Sequence, residues 1–350
     1  MARPPKSCRF QTGYVDIPGS ALSKVKSPAS ALWLGRLPAT RKPAMKRTAL
    51  TALMVFAATP ALALDWGSVP GKEIVLFYPG QSSLEWVLSG EHGGAPKVKN
   101  GKACKECHLG EEKDMGATLV SGSKNEPAPI PAKPAFIPAT VKVAQEGGKL
   151  LVRLDFKEGA QPDSKMDADF ATKVTMMLDD GKLPEAAQAG CWGTCHEDAA
   201  KMPAGGAGER TKYLNRTRAK PGRQGAGDEL VAAAELEKMQ ASGQVMEYWQ
   251  ARLKPGAAAV AAGGFIFDKR AEAKPSPVTA EATQSGDGWS VTLSRPLAAS
   301  APFKTIEVGK TYNLGFAIHA GHTARRFHYV SLEHTLVLDK GDADLVAVKK

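Results

Sequence analysis

The sequence predicts a mainly β chain, built as a small N-terminal module followed by an immunoglobulin-like β-sandwich, and three features carry that prediction. Short apolar stretches with strand-like alternation recur from residue 140 to the C-terminus, separated by Gly-rich and polar turns, which is the pattern of a sandwich or barrel. Ahead of them, Pro127, Pro129, Pro131, Pro134 and Pro138 fix φ and remove backbone donors, so residues 124–139 are expected to form an extended, semi-rigid spacer and domain boundary. Before the spacer, residues 64–123 carry an apolar set (Trp66, Phe77, Tyr78, Trp86, Val87) in a segment too short to build a strong core without help.

The 350 residues leave room for two or three domains, and an apolar fraction of 43% is enough for a sizeable core. The net charge of +10 looks at first like a nucleic-acid or membrane signal. Its location argues otherwise: residues 1–63 hold ten of the 46 basic residues and one of the 36 acidic ones, so the remainder is nearly neutral at +1 and nucleic acid has no support as a partner. The leader contains an export signal starting at Met45, with Lys46-Arg47 as its positive end, an apolar stretch over 48–58 and Ala61-Leu62-Ala63 as the small-residue cleavage site. That stretch is shorter than the about 20 residues that span a bilayer. Residues 45–63 are therefore expected to be a signal peptide and the protein periplasmic, with an uncleaved anchor as the one route to the membrane. Residues 1–44 show no periodic pattern and read as a mis-called start or a disordered extension.

Within residues 140–350 the clearest element is a hairpin, strands over 140–144 and 150–156 around Gly147-Gly148. Further strands are expected over 173–178, 244–253, 264–268, 289–294, 311–319 and 329–338, and a helix over 228–239, which is rich in Ala, Glu and Leu.

The cysteines carry the chemistry. Cys8 lies in the leader; the other four fall into two similar motifs. Ala-Cys-Lys-Glu-Cys-His, residues 103–108, places two thiols three apart with an imidazole directly after the second, the pattern by which a c-type haem is held through thioethers at Cys104 and Cys107 with His108 as proximal iron ligand. Cys191-Trp-Gly-Thr-Cys195-His196 is an imperfect copy with three residues between the thiols, where Gly193 could absorb the change in geometry. Two covalently attached haems are expected, the second held by Cys191 and Cys195 with His196 beneath its iron. The competing readings are local disulfides, natural in an oxidising compartment, and zinc, for which the spacing is wrong.

Each iron needs a sixth ligand. For the first, the candidates are His92, sixteen residues before His108, and Met115, seven after it; His92 is preferred because Glu91-His92-Gly93-Gly94 presents an imidazole on a permissive backbone. For the second, Met202 follows His196 by six residues, and 316–331 carries His319, His322 and His328, three of the chain's seven histidines. The residues alone leave that choice open.

Asp179-Asp180-Gly181, Met246-Glu-Tyr-Trp-Gln-Ala-Arg and Phe316-Ala-Ile-His-Ala-Gly through Val330-Ser331 occur in that order, and over residues 138–345 the chain resembles the haem-binding β-sandwich domain of the ethylbenzene dehydrogenase and dimethylsulfide dehydrogenase γ subunits. The resemblance implies a domain that holds a b-type haem non-covalently between Met and Lys and exchanges electrons with a molybdenum-enzyme partner. This sequence departs from the family at both ligands. Its 191–196 motif stands near the family's Met segment and His328 near its Lys, which implies covalent attachment and two histidine ligands, His196 and His328.

The reading that follows is a periplasmic dihaem cytochrome c transferring electrons between redox proteins of a respiratory chain, with a molybdenum enzyme or a membrane quinol-oxidising cytochrome as partner classes. The main rival is a dihaem peroxidase or reductase with one open iron, where His322, Arg325 and Arg326 would be the distal groups. A haem-free secreted binding module with two disulfides is the third.

Overall fold

A computed structural model describes residues 64–350 except 83, 128, 191, 194–195, 198–210, 213, 220, 223–224 and 227–228. The leader, Cys191, Cys195 and Met202 lie outside the described residues, and His196 is described in its backbone alone.

In chain order, the N-terminal segment holds strand β1 (Gly71–Phe77) and helices α1 (Leu84–Val87), α2 (Ala95–Lys99), α3 (Lys105–His108) and α4 (Glu112–Val120). Strands β2 (Phe136–Glu146), β3 (Lys149–Lys157) and β4 (Thr172–Asp179) follow, then α5 (Pro184–Ala189). Four two-residue strands, β5 (His196–Glu197), β6 (Thr211–Lys212), β7 (Pro221–Gly222) and β8 (Gly225–Ala226), precede α6 (Ala233–Ala241). The remainder is β9 (Met246–Leu253), β10 (Val260–Ile266), β11 (Arg270–Glu272), β12 (Thr279–Ser285), β13 (Gly288–Pro296), β14 (Tyr312–His319), β15 (Tyr329–Val330), β16 (His334–Leu338) and β17 (Leu345–Lys349).

Thirteen of the described strands form one sheet, ordered β11-β10-β9-β4-β14-β15-β1-β2-β3-β13-β12, with β16 and β17 linking β14 to β2. The sheet curls so that β12 and β13 meet β9 and β10, giving a sandwich-like, nearly closed layer pair. Alternation decides which side chains enter it: Ile74 and Leu76 of β1, Val174 and Met176 of β4, Trp249 and Ala251 of β9, Leu293 of β13 and Phe316 of β14 all point into one core. Across that core, the fully buried Arg295 of β13 donates from Nε to Glu247 of β9 at 2.5 Å, while the Lys304 backbone N–H donates to the same carboxylate at 2.7 Å. A buried pair satisfied in this way fixes how the layers meet more than it adds stability.

The β2–β3 hairpin forms as expected, with Glu146 paired to Lys149 and both central glycines at positive φ, 54° and 74°, as a primed turn requires. The expected strand over 329–338 is instead two. β15 pairs with β14 and β1 while β16 pairs with β14 and β17, so the chain bends between them. β12 went unforeseen because its TAEATQS sequence is polar and half-exposed, and its pairing with β13, not its own periodicity, makes it a strand.

The largest difference concerns the N-terminal segment, which is not a separate body on a proline tether. Residues 62–350 form one compact unit, and β1 lies in the sheet between β15 and β2, in register from Gly71–Lys142 to Phe77–Phe136. The proline-rich segment is built in as well. Its Glu126 is 1% exposed and accepts from the Tyr78 hydroxyl at 2.5 Å and from Arg326 Nη2 at 3.0 Å. Lys133 is buried with its ammonium 4.4 Å from the Tyr329 ring centre.

Strands β4 and β9 are buried on both faces except Arg252, so the sheet has a second, outer apolar face. There Met177, Tyr248, Ala317, Val330 and Phe77 join Val98 of α2, Ala186 of α5 and Met239 of α6 in a second cluster.

Candidate cofactor sites

Two cavities lie against this outer face. The first, about 640 Å³, is walled by α2, α3, α4, the 92–94 turn, Phe77, Ala189, Trp192, Ser331 and Leu332.

The first motif is anchored before and along its short helix. The Cys104 backbone N–H donates to Gln188 O at 2.7 Å, and the Lys105 N–H donates to Glu333 Oε1 at 2.9 Å. Glu106 caps backward onto the Ala103 N–H at 2.8 Å, and His108 N donates to Cys104 O at 2.9 Å, closing a turn that puts Cys104, Cys107 and His108 on the cavity wall. Burial, with Glu333 nearby, pushes the Cys104 thiol up to about 12, so it is protonated at neutral pH. Cys107 is exposed and both thiols are free.

The two imidazoles of this cavity have ring centres 6.1 Å apart and planes inclined by 38°. Two imidazoles bound to opposite sides of one metal, each with a metal–nitrogen bond of about 2 Å, have centres about 6 Å apart. Each ring is oriented through Nδ1: His92 toward Val87 O at 3.0 Å, His108 toward Glu111 Oε2 at 2.9 Å. That arrangement makes Nδ1 the proton carrier and leaves Nε2 with its lone pair for a metal. Burial lowers the His92 pKa, and the charges of His108 and Lys124 act in the same direction, favouring the neutral, ligating form. Gly94 is part of the fit, since a Cβ there would come within 2.8 Å of the His92 ring. Met115 lines the same cavity and packs against the apolar cluster. Lys97, Lys102 and Lys124 also line it, with Lys102 donating to Glu106 at 3.2 Å.

The second cavity, about 360 Å³, has a floor made of consecutive same-face rungs across β14, β4 and β9. One rung is Ala317–Thr175–Gln250; the next is His319–Lys173–Arg252. Arg270, Arg325 and His328 complete a strongly cationic lining. His319 and His328 stack at 4.7 Å, closer than two ligands on opposite sides of one metal, and both point a ring nitrogen at Arg325 O. His328 does so through Nδ1 at 2.7 Å, the orientation His92 also uses; His319 does so through Nε2 at 2.9 Å, leaving a buried Nδ1 with no partner. Burial, with the charges of His328, Lys173 and Arg270, holds His319 well below the usual imidazole range.

Not every candidate is brought to a cavity. His322, at φ 55°, bonds through Nδ1 to Asp167 O at 2.8 Å and lines neither site. Arg326, offered as a distal group, is instead locked in the core with Glu126 at 0% exposure of both side chains. Of that trio only Arg325 reaches the second cavity.

The family model for ethylbenzene dehydrogenase matches residues 113–331. The chain belongs to this family. Cytochrome c-552 of Stutzerimonas stutzeri is 35% identical to it over 316 residues, covering 88% of this chain and all of the relative. Cytochrome c-551 of Rhodocyclus tenuis is 33% identical over 289 residues, covering 82% of this chain and all of that relative.

In this ethylbenzene dehydrogenase-family chain the match starts five residues after His108, so the 103–108 motif lies outside the matched span; of its two anchors one lies inside the span and the other just past its end. Gln188 and Glu333 are those anchors, and sequence reasoning missed both. Nothing local marks them; each meets the motif only through the folded sheet. Trp192, inside the second motif's spacer, is 7% exposed and lines the first cavity.

Proposed function

We propose that this chain is an exported dihaem c-type cytochrome that passes single electrons between redox proteins. The observation that carries the reading is the His92–His108 pair, 6.1 Å between ring centres, in one cavity with both thiols of the 103–108 motif. Haem bound there supplies one-electron Fe(III)/Fe(II) exchange. Cys104 and Cys107 would hold the haem covalently through thioethers. His108 and His92 would hold the iron, with Glu111 and the Val87 carbonyl fixing their tautomers. Lys97, Lys102 and Lys124 line the cavity and would neutralise carboxylates of the bound group. A pair of histidines favours a lower potential than a His/Met pair.

Cys191, Cys195 and His196 would hold the second haem, with His328 as its further iron ligand. Support for His328 over His319 is its orientation through Nδ1. With both axial positions filled, the protein moves electrons without binding substrate. The open-iron alternative loses Arg326 to the core and His322 to the 161–167 loop. The membership of an electron-transfer family and the two cytochrome relatives support the carrier role. Periplasmic location, with a molybdenum enzyme or a membrane quinol-oxidising cytochrome as partner, belongs to the same proposal.

A pyridine-haemochrome assay on protein matured with a cytochrome c assembly system tests the reading, with two haems per chain expected. Cys195→Ser should lower the count to one and leave the first site's spectrum intact. Colourless protein overturns the reading, and an unchanged count in the variant removes the second site.

A further inference from the structure

We propose that Glu333 couples a proton to the electron carried at the first site; this rests on the reading of the 103–108 motif as a haem site and is independent of the second motif. Glu333 directly follows Ser331 and Leu332, which line the first cavity, and directly precedes β16. Its Oε1 accepts from the Lys105 N–H at 2.9 Å, one residue after Cys104 and three before His108, within a single turn of helix. The side chain is 3% exposed, and its other oxygen, Oε2, is buried with no hydrogen-bond partner. A carboxylate oxygen left unmet in a dry place is costly, and a proton on that oxygen removes the cost.

The neighbours leave the balance close. Lys105 of α3 pulls toward the carboxylate, but its ammonium is engaged by Asp344 at 2.8 Å, and Asp344, also held by Lys72 at 3.2 Å, pushes the other way. A Cβ on Gly190 would come within 3.1 Å of Glu333 Cα, so the end of α5 closes that side with backbone and no charge. His334, next in the chain, has its pKa lowered to about 4 and is neutral at neutral pH. The thiol of Cys104, which the Glu333 charge helps to raise, would be uncharged as a thioether. Burial outweighs the rest and pushes Glu333 up to about 7, so acid and carboxylate are both populated near neutrality.

The two oxygens divide the work. Oε1 keeps the Lys105 N–H in both states, and the O–H bond forms at Oε2. An electron arriving at the iron removes a positive charge from beside this carboxyl group, and in a dry site that change is felt strongly. Glu333 is therefore better protonated when the iron is Fe(II) and better ionised when it is Fe(III): one electron and one proton from water arrive together, and both leave on oxidation. By linkage, the proton alters the electron's equilibrium by the same factor as the electron alters the proton's, so reduction becomes harder as pH rises.

The test uses holoprotein matured with a cytochrome c assembly system; colourless protein would overturn the haem reading itself. The first haem is the spectral component that turns high-spin in His92→Ala. Its reduction equilibrium constant, read by spectroelectrochemistry, should fall several-fold between about pH 6 and pH 8, by at most about tenfold per pH unit, the limit for one proton per electron. Glu333→Gln keeps an acceptor for the Lys105 N–H and loses the titration, so its constant should stay flat over that range at the parent's low-pH value, with haem count and spectra unchanged. Glu333→Asp, which keeps a carboxyl group, should restore a pH dependence. Redox-difference infrared spectra of the parent at pH 7 should gain a protonated carboxylic C=O band on reduction. Absence of that band, or a parent constant that ignores pH, overturns the coupling whatever the variants do. A pH dependence that survives in Glu333→Gln overturns the assignment and points to another buried group, Lys133, whose pKa is lowered to about 7, being in the same window.

Discussion

At the scale of the residue, the first site depends on how two imidazoles are turned. His92 is held by the Val87 carbonyl and by stacking against Trp86 at 5.3 Å, and His108 by the Glu111 carboxylate. In the proposed holoprotein, attachment through Cys104 and Cys107 and ligation by His108 would not depend on His92. Replacing it with Ala should therefore leave haem covalently attached while vacating one axial position. Visible spectra should change from low-spin to high-spin at one haem, and carbon monoxide should bind to half the total. Unaltered low-spin spectra would assign the sixth position to another residue, with Met115 the nearest candidate in the same wall.

Along the elements, the first cavity depends on α4 lying close against the start of β2. A Cβ on Gly116 would come within 2.1 Å of the Ala135 carbonyl oxygen, a backbone atom that cannot move aside cheaply. Gly116→Val should lower stability by about 1–3 kcal/mol, as overpacking does, and loosen the wall that carries Met115 and Leu119. Chemical denaturation reads the first effect, and haem content per chain reads the second. The elements also show how far sequence patterning reached. The 146–149 hairpin and the strands at 173–178, 289–294 and 311–319 were legible because alternation and paired glycines are local signals. β12 and β17 were not, since a polar edge strand and a parallel C-terminal strand gain their order from neighbours distant in the chain.

For the molecule as a whole, burial of ionisable groups ties stability to pH. His334 is 9% exposed, its Nε2 has no partner, and burial lowers its pKa to about 4. Between about pH 6.5 and pH 4 the unfolded chain binds the proton that the folded chain refuses, so this contribution is complete above pH 6.5 and is lost as pH falls toward 4. It is worth on the order of 3 kcal/mol across that window. Urea midpoints at pH 7, 5.5 and 4 should decline in the parent protein and decline less in His334→Leu; parallel slopes would assign the acid sensitivity to other groups.

The sequence by itself determined the family, through its dispersed C-terminal matches, and carried the case for haem c: CxxCH and its longer copy are the basis of the proposed attachment because thiol spacing and the following histidine act within one turn of chain. Only the tertiary structure decided where that chemistry sits. It placed β1 inside the sheet and tied the proline-rich segment into the body through Glu126, where the sequence suggested a tether. It brought His92 to His108, set His322 apart, and put both cavities on one face around Val330. These relations join residues up to about 250 positions apart through backbone pairing, and periodicity within a segment carries no information about which strand will lie beside it.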